Sequence, residues 1–278
     1  MSSTASSNII KYLKHYFDGP KQGSKEWREL RVKRFGGSEI KYINKIDALI
    51  EKRNNNNGDQ SLACWWGRWF ELVVKQHYTE ENKTEIHEFS AIPCAKIPVA
   101  YSPDGIIEKN GECYLIEIKC PIYKIKLVSK DYMDQVQTGL FILPVKKCLL
   151  MMSIFRKCLF SDLKNIRTYD VRFHKPWLDG TKYNPRYYPV REIYCGALIW
   201  ENQEESKEVY ELALPSKIII DKDPAEIQKQ ILKSDNIHYL CFKCFENLIE
   251  SIEKDKSFQD KEELLWEKYN QFIEKQHK

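Results

Sequence analysis

Asp104 stands in the turn-forming stretch Ser102-Pro103-Asp104-Gly105. Glu117 and Lys119 stand two apart in the apolar run Leu115-Ile116-Glu117-Ile118-Lys119-Cys120-Pro121. In a β-strand, positions two apart face the same side, so Glu117 and Lys119 are expected to project together. A hairpin at Lys109-Asn110-Gly111 would bring Asp104 back beside Glu117. Two carboxylates and one ammonium on one patch suit a divalent cation and a water activated beside it.

The surrounding pattern supplies the elements that must hold this patch. Ser24 is expected to cap a short helix with Trp27, Leu30 and Arg31 on one face, ended by Gly36-Gly37. Ser38 then caps a helix predicted over residues 39–53. A long helix is predicted over 61–81, with Trp65, Trp66, Trp69, Phe70, Val73 and Val74 on its apolar side. Glu71 lies inside that stretch. Taken alone it either faces water or pairs with Lys75 at i,i+4; on a buried surface it would need a partner or a cation.

Short strands follow over 85–89, 92–96, 106–108 and 114–119, and a helix over 129–143 carries Gln135-Val136-Gln137. Further strands are predicted over 146–155, 166–173, 192–200 and 217–220, and helices over 225–254 and 259–276. The proline- and aromatic-rich loop between His174 and Pro189 is expected to pack its own side chains. Strands bracketed by helices without strict βαβ alternation predict an α/β fold, a mixed central sheet flanked by helices, with helices at the C-terminal end.

The 278 residues suffice for one large domain, with 42% hydrophobic and 30% charged residues. Residues 1–8 read as a frayed end and 9–278 as a single domain. Its catalytic core is placed over 24–173 and a helical C-terminal part over 224–278. No stretch approaches a membrane span, and the serine-rich start lacks the order of a signal peptide, so an intracellular protein is expected. A net charge of +4 does not by itself imply nucleic acid. Nine cysteines without a framework spacing read as free thiols. The lone CxxC, Cys241-Phe242-Lys243-Cys244, reads as two helix-face cysteines rather than a zinc site.

The order of these residues is more telling than any one of them. Trp27, Arg31 and Ser38 precede Gly67 and Glu71. Ser102-Pro-Asp104-Gly105, Glu117-Ile-Lys119-Cys-Pro121 and Gln135-Val-Gln137 follow. This series, from Trp27 to Phe141, resembles the lambda-exonuclease/YqaJ-like viral recombinase family of the PD-(D/E)XK nuclease superfamily. After about Phe155 no residue-by-residue match is seen.

The resemblance implies a restriction-endonuclease-like core and a Mg²⁺-dependent deoxyribonuclease, with one or two ions and Mn²⁺ as a substitute. It implies that Glu71, Asp104, Glu117 and the Ile118 carbonyl oxygen hold metal, that Lys119 positions the attacking water, and that Gln135 supports it from the helix behind. It further implies that Arg31, Ser38 and Ser102 grip a terminal 5′-phosphate. The activity implied is a 5′→3′ exonuclease on duplex DNA ends in viral or phage-type recombination, repair or genome processing, in host cytoplasm or nucleus if viral. A single-strand annealing protein and a ring-like homo-oligomer are the partners it suggests. Two other readings stay open: an endonuclease or alkaline-nuclease-like enzyme that also cuts RNA, and a non-catalytic DNA-binding accessory protein.

Overall fold

A two-residue turn sets the geometry of the central hairpin. Asn110 and Gly111 take φ values of 54° and 77°, left-handed conformations that a tight hairpin turn needs and that Asn and Gly tolerate best. Lys109 pairs with Glu112 across the turn, and the register runs on to Gly105 opposite Ile116. Asp104, one residue before the strand, therefore falls opposite Glu117, as the spacing predicts. A β-branched side chain resists the Gly111 conformation, so Gly111→Val is expected to cost about 1–2 kcal/mol. The measurement is a lower urea midpoint at unchanged slope.

The computed structural model describes residues 9–14, 24–54, 62–122, 129–164, 174–175, 178–182, 194–201, 213–221, 223–233 and 237–276. The helices are α1 (residues 9–13), α2 (Lys25–Val32), α3 (Ile46–Asn54), α4 (Leu62–Asn82), α5 (Lys130–Ile142), α6 (Pro224–Leu232) and α7 (Glu262–Gln276). The strands are β1 (Phe35–Gly36), β2 (Ile92–Pro93), β3 (Val99–Tyr101), β4 (Gly105–Lys109), β5 (Glu112–Lys119) and β6 (Lys147–Cys158), followed by β7 (His174–Lys175), β8 (Leu178–Lys182), β9 (Tyr194–Glu201), β10 (Lys217–Asp221) and β11 (Ile237–Glu253).

The main sheet runs β10-β9-β11-β6-β5-β4. Its β5–β6 pair is parallel, joined through α5, and its other pairs are antiparallel. A small sheet, β1-β3-β2, lies beside it, and β7 pairs with β8. The architecture is α/β with a mixed central sheet between helices, as expected above.

The two faces of β5 explain the cover. Ile116 and Ile118 pack with Trp66, Phe70 and Val73 of α4. Cys113 and Leu115 pack with Val136 and Leu140 of α5 and with Tyr101. A third cluster, including Phe35, Leu49 and Phe272, ties β1 to α3 and α7. Ser24 caps α2 as expected, its Oγ accepting from the Trp27 amide at 3.1 Å. The long α4 matches its prediction closely, and Ser129 caps α5 by accepting from the Tyr132 amide.

Four expectations are corrected. The helix predicted over 225–254, and with it an all-helical part over 224–278, is instead α6 followed by the 17-residue strand β11. β11 is paired on both edges, by β9 and β6, and Leu240–Cys244 are buried on both faces. A strand buried on both faces loses period-two alternation and reads like an apolar helix. Cys241 and Cys244 are consequently strand residues that join clusters on opposite faces, so they share neither a helix face nor a metal. All nine cysteines stand outside disulfides. The helix predicted over 39–53 is divided into a 3₁₀ turn over Gly37–Tyr42 and α3, because Asn44 favours a turn over helix interior. The strand predicted over 85–89 is reduced to one bridge, His87 with Ile106.

The strand predicted over 166–173 and most of the loop predicted over 174–189 lie outside the described residues. Among the described residues no helix is long and apolar enough to cross a membrane.

Candidate active site

Glu117 faces α5 and is 0% exposed. A carboxylate removed from water is costly unless its lone pairs are used. Here its Oε1 accepts from Lys119 Nζ at 2.5 Å and from Gln135 Nε2 at 2.6 Å, while its Oε2 accepts from the Tyr101 hydroxyl. Gln135 Oε1 accepts in turn from Lys119 Nζ at 3.1 Å, which closes a Glu117–Lys119–Gln135 triangle. Gln135 comes from α5, and Gln137 pins that helix. Its Nε2 donates to the Glu253 carbonyl and its Oε1 accepts from the Asp255 amide, each at 2.8 Å. Asp104 Oδ2 accepts from the Ile118 amide at 2.7 Å, which locks the carboxylate against β5.

Glu71 approaches from α4, on the other face of the sheet. It pairs with Lys75 at 2.8 Å, and Lys75 also reaches Glu88 at 2.6 Å. The i,i+4 pairing foreseen for Glu71 is thus present, and the same carboxylate also lines the cavity that holds Asp104 and Glu117. Ile118, Lys119, Gln135, Ser38, Ser102 and Trp27 complete most of that wall.

The Gly36–Ser38 edge is held from behind. The Glu39 carboxylate accepts from the Gly36 amide at 2.6 Å and from Arg53 at 2.7 and 3.1 Å, and Arg53 also donates to the Arg34 carbonyl at 2.7 Å. Trp27 Nε1 approaches Ser102 Oγ at 3.5 Å. All the expected site residues except Arg31 therefore share one cavity. Arg31 lies in α2, one turn beyond Trp27, and its side chain is outside the described residues.

The electrostatics follow from this crowding. Burial, then the charges of Glu117 and Glu71, raise the Asp104 pKa well above the carboxylate range, against the pull of Lys119 and the Ile118 amide. Burial works to deprotonate Lys119, but Glu117 and Asp104 outweigh it and hold its ammonium above the ordinary lysine range. Lys75 behaves in the same way, burial being outweighed by Glu71 and Glu88. Burial, then Glu117, lifts the Tyr101 phenol well above its usual value. Burial also raises Cys120 and Cys148, and pushes Cys113 up to about 11, so thiolate chemistry has no place here.

Tyr101 is the residue that sequence reading missed. Its one signal is position: it immediately precedes Ser102-Pro103-Asp104, in a segment whose neighbour Asp104 must be oriented. Gly36 and Gly37 carry only the signal of a helix stop in the sequence, yet they line the cavity.

The donor set is one a hard divalent cation prefers: the carboxylates of Glu71, Asp104 and Glu117 on a polar wall that also includes Ile118. In the arrangement described, Glu117 and Glu71 are turned to lysines. No group of three His, Cys, Asp or Glu side chains among the described residues forms a ready-made ligand cluster. The residues fit a cation in kind, with the lysine-facing carboxylates supplying the adjustment.

Residues 26–142 match the model of the YqaJ-like viral recombinase domain. Among solved structures, the chain is similar to the alkaline exonuclease LHK-Exo from Laribacter hongkongensis. Identity is 15% over 91% of this chain and 92% of that one, with a TM-score of 0.46. LHK-Exo in complex with dAMP is similar at 16% identity over 91% and 94%, also at 0.46. SSO0001 is similar at 15% identity over 52% of this chain and 70% of that one, at 0.31. No curated protein matches the chain in sequence.

Proposed function

We propose, from the match of residues 26–142 to the YqaJ-like viral recombinase domain, that the protein is a nuclease of the lambda-exonuclease type. Its reaction is divalent-metal-dependent hydrolysis of DNA, running 5′→3′ from duplex ends, with Mg²⁺ as the working ion. The observation that carries this reading is the convergence of Asp104, Glu117, Lys119 and Gln135 on one cavity whose wall also holds Ser38 and Ser102.

Asp104, Glu117, Glu71 and the Ile118 carbonyl are the groups that would hold the metal. When bound, a divalent cation offsets phosphate charge and makes a coordinated water more acidic. Everything else falls to the chain. Lys119 is a cation fixed by Glu117 and Gln135, so it directs a water and stabilises negative charge, and it is not a general base. Gln135 keeps the lysine's donors oriented. Ser38 and Ser102, together with Arg31, bind the terminal 5′-phosphate, and the Glu39–Arg53 pair fixes the Gly36–Ser38 edge against which that phosphate rests.

End-labelled linear duplexes with 5′-phosphate or 5′-hydroxyl ends, beside a covalently closed circle, test the reading. With Mg²⁺ the phosphorylated duplex is expected to be degraded at least about tenfold faster than the hydroxyl form, the worth of one lost charge-assisted contact set. The circle is expected to persist, and EDTA to stop all degradation. A circle linearised as fast as the duplex is digested would replace this reading with an endonuclease.

A further inference from the structure

The Tyr101 ring is slotted between two glycines. A Cβ added at Gly37 would lie 2.5 Å from Tyr101 Cδ2, and one added at Gly139 would lie 2.6 Å from Tyr101 Cζ. Only the absence of side chains from the 3₁₀ turn on one side and from α5 on the other leaves room for the ring. Tyr101 is 1% exposed, so the surroundings allow its hydroxyl little latitude.

The division of hydrogen bonds on Glu117 gives that placement a consequence. Oε1 has two donors, Lys119 and Gln135, and a carboxylate oxygen has two lone-pair sites. Oε2 has one donor, Tyr101, and keeps one site. A ligand bond made by Glu117 in this arrangement therefore falls on Oε2, the oxygen whose direction Tyr101 sets.

We propose that Tyr101 is a positioning residue that aims Glu117 Oε2 as a single-oxygen ligand, and that Gly37 and Gly139 exist at their positions to hold it there. This rests on the reading of the cavity as a metal site. Groups that orient metal ligands through a hydrogen bond typically contribute 10–100-fold to metal affinity or activity.

Mn²⁺ binding to the free full-length protein, followed by loss of the free-ion EPR signal, supplies the test. Tyr101→Phe removes the hydroxyl and keeps the ring, and is expected to weaken Mn²⁺ binding roughly 10–100-fold. In a DNA-degradation assay its activation constant for Mn²⁺ rises by a similar factor, while saturating Mn²⁺ restores turnover to within a few fold of the wild type. A merely structural loss would lower turnover without recovery at high Mn²⁺. Gly139→Ala, which displaces the ring but leaves the hydroxyl, is expected to shift binding in the same direction.

Tyr101→Phe that binds Mn²⁺ within twofold of the wild type overturns the positioning role and leaves the metal-site reading standing. A wild type that binds no Mn²⁺ overturns both.

Discussion

Asp104→Asn is expected to give a protein that resists unfolding better than the wild type when metal is absent and that cleaves no DNA. The stability half follows from the direction in which the site moves one pKa. Burial, with Glu117 and Glu71 nearby, raises the folded-state pKa of Asp104 above its unfolded value. The protonated form is therefore favoured by folding. Its contribution is complete below the ordinary aspartate pKa of about 3.9 and is lost as pH rises through the raised value.

Above that raised value the metal-free wild type holds an ionised group that its surroundings disfavour. Asparagine is neutral at every pH and its side-chain oxygen can still accept from the Ile118 amide. A tenfold change in a proton-binding equilibrium corresponds to about 1.4 kcal/mol. Solvent reaches the only partly buried Asp104 and screens part of this effect, so a gain on the order of 1 kcal/mol is expected. That is a rise of a few degrees in melting temperature with EDTA at pH 8, shrinking towards pH 4. A wild type that melts above the variant at pH 8 would contradict the crowding described for the site.

The activity half runs the other way. Loss of a ligand that sets several kcal/mol of charge stabilisation corresponds to at least about a 10³-fold fall in cleavage. Gel-shift binding to duplex DNA should persist. Glu117→Ala separates the two halves from the opposite side. It is expected to remove cleavage equally, but it strips the acceptor from Tyr101, Lys119 and Gln135 and so destabilises the fold. One carboxylate is stored against the fold and the other is built into it. Parallel melts of the two variants distinguish them.

This difference was partly legible in the amino-acid order. The pairing of Asp104 with Glu117 could be counted from Asn110-Gly111, because a two-residue turn leaves one register. The Glu71–Lys75 pair could be read from spacing along a helix. Those facts are local. The Tyr101 slot is not: it needs Gly37, Tyr101 and Gly139 from three elements to meet, and no spacing encodes that. β11 escaped for a related reason. Its neighbours β6 and β9 pair both its edges and the core covers both faces of Leu240–Cys244, and only that company tells a buried strand from an apolar helix. The hairpin of the candidate site was therefore readable from local chemistry, whereas its support depended on tertiary company.

That support is concentrated where α4 crosses the sheet, and Phe70→Ala is expected to expose it. Phe70 is 0% exposed. It stacks on Phe155 at 4.2 Å between centroids and an interplanar angle of 16°, meets Phe242 edge-on at 5.2 Å, and lies 4.5 Å from Trp66. Removing a buried phenyl ring costs about 3–5 kcal/mol, because the transfer energy is lost and the surrounding aromatics cannot collapse into the gap. Of the stability typical for a domain, about 5–15 kcal/mol, that is a large share.

The next residue along α4 is Glu71, so a helix loosened at Phe70 also loosens the carboxylate that α4 delivers to the cavity. Phe70→Leu retains most of the apolar volume and is expected to cost about half as much. Urea denaturation followed by tryptophan fluorescence measures the stability of both. Nuclease assays well below each midpoint ask whether the remaining folded protein is impaired. If α4 positions Glu71 through this aromatic contact, Phe70→Ala loses activity per folded molecule even where it is fully folded. Activity per folded molecule equal to that of the wild type would make Phe70 a stabilising residue with no hold on the site.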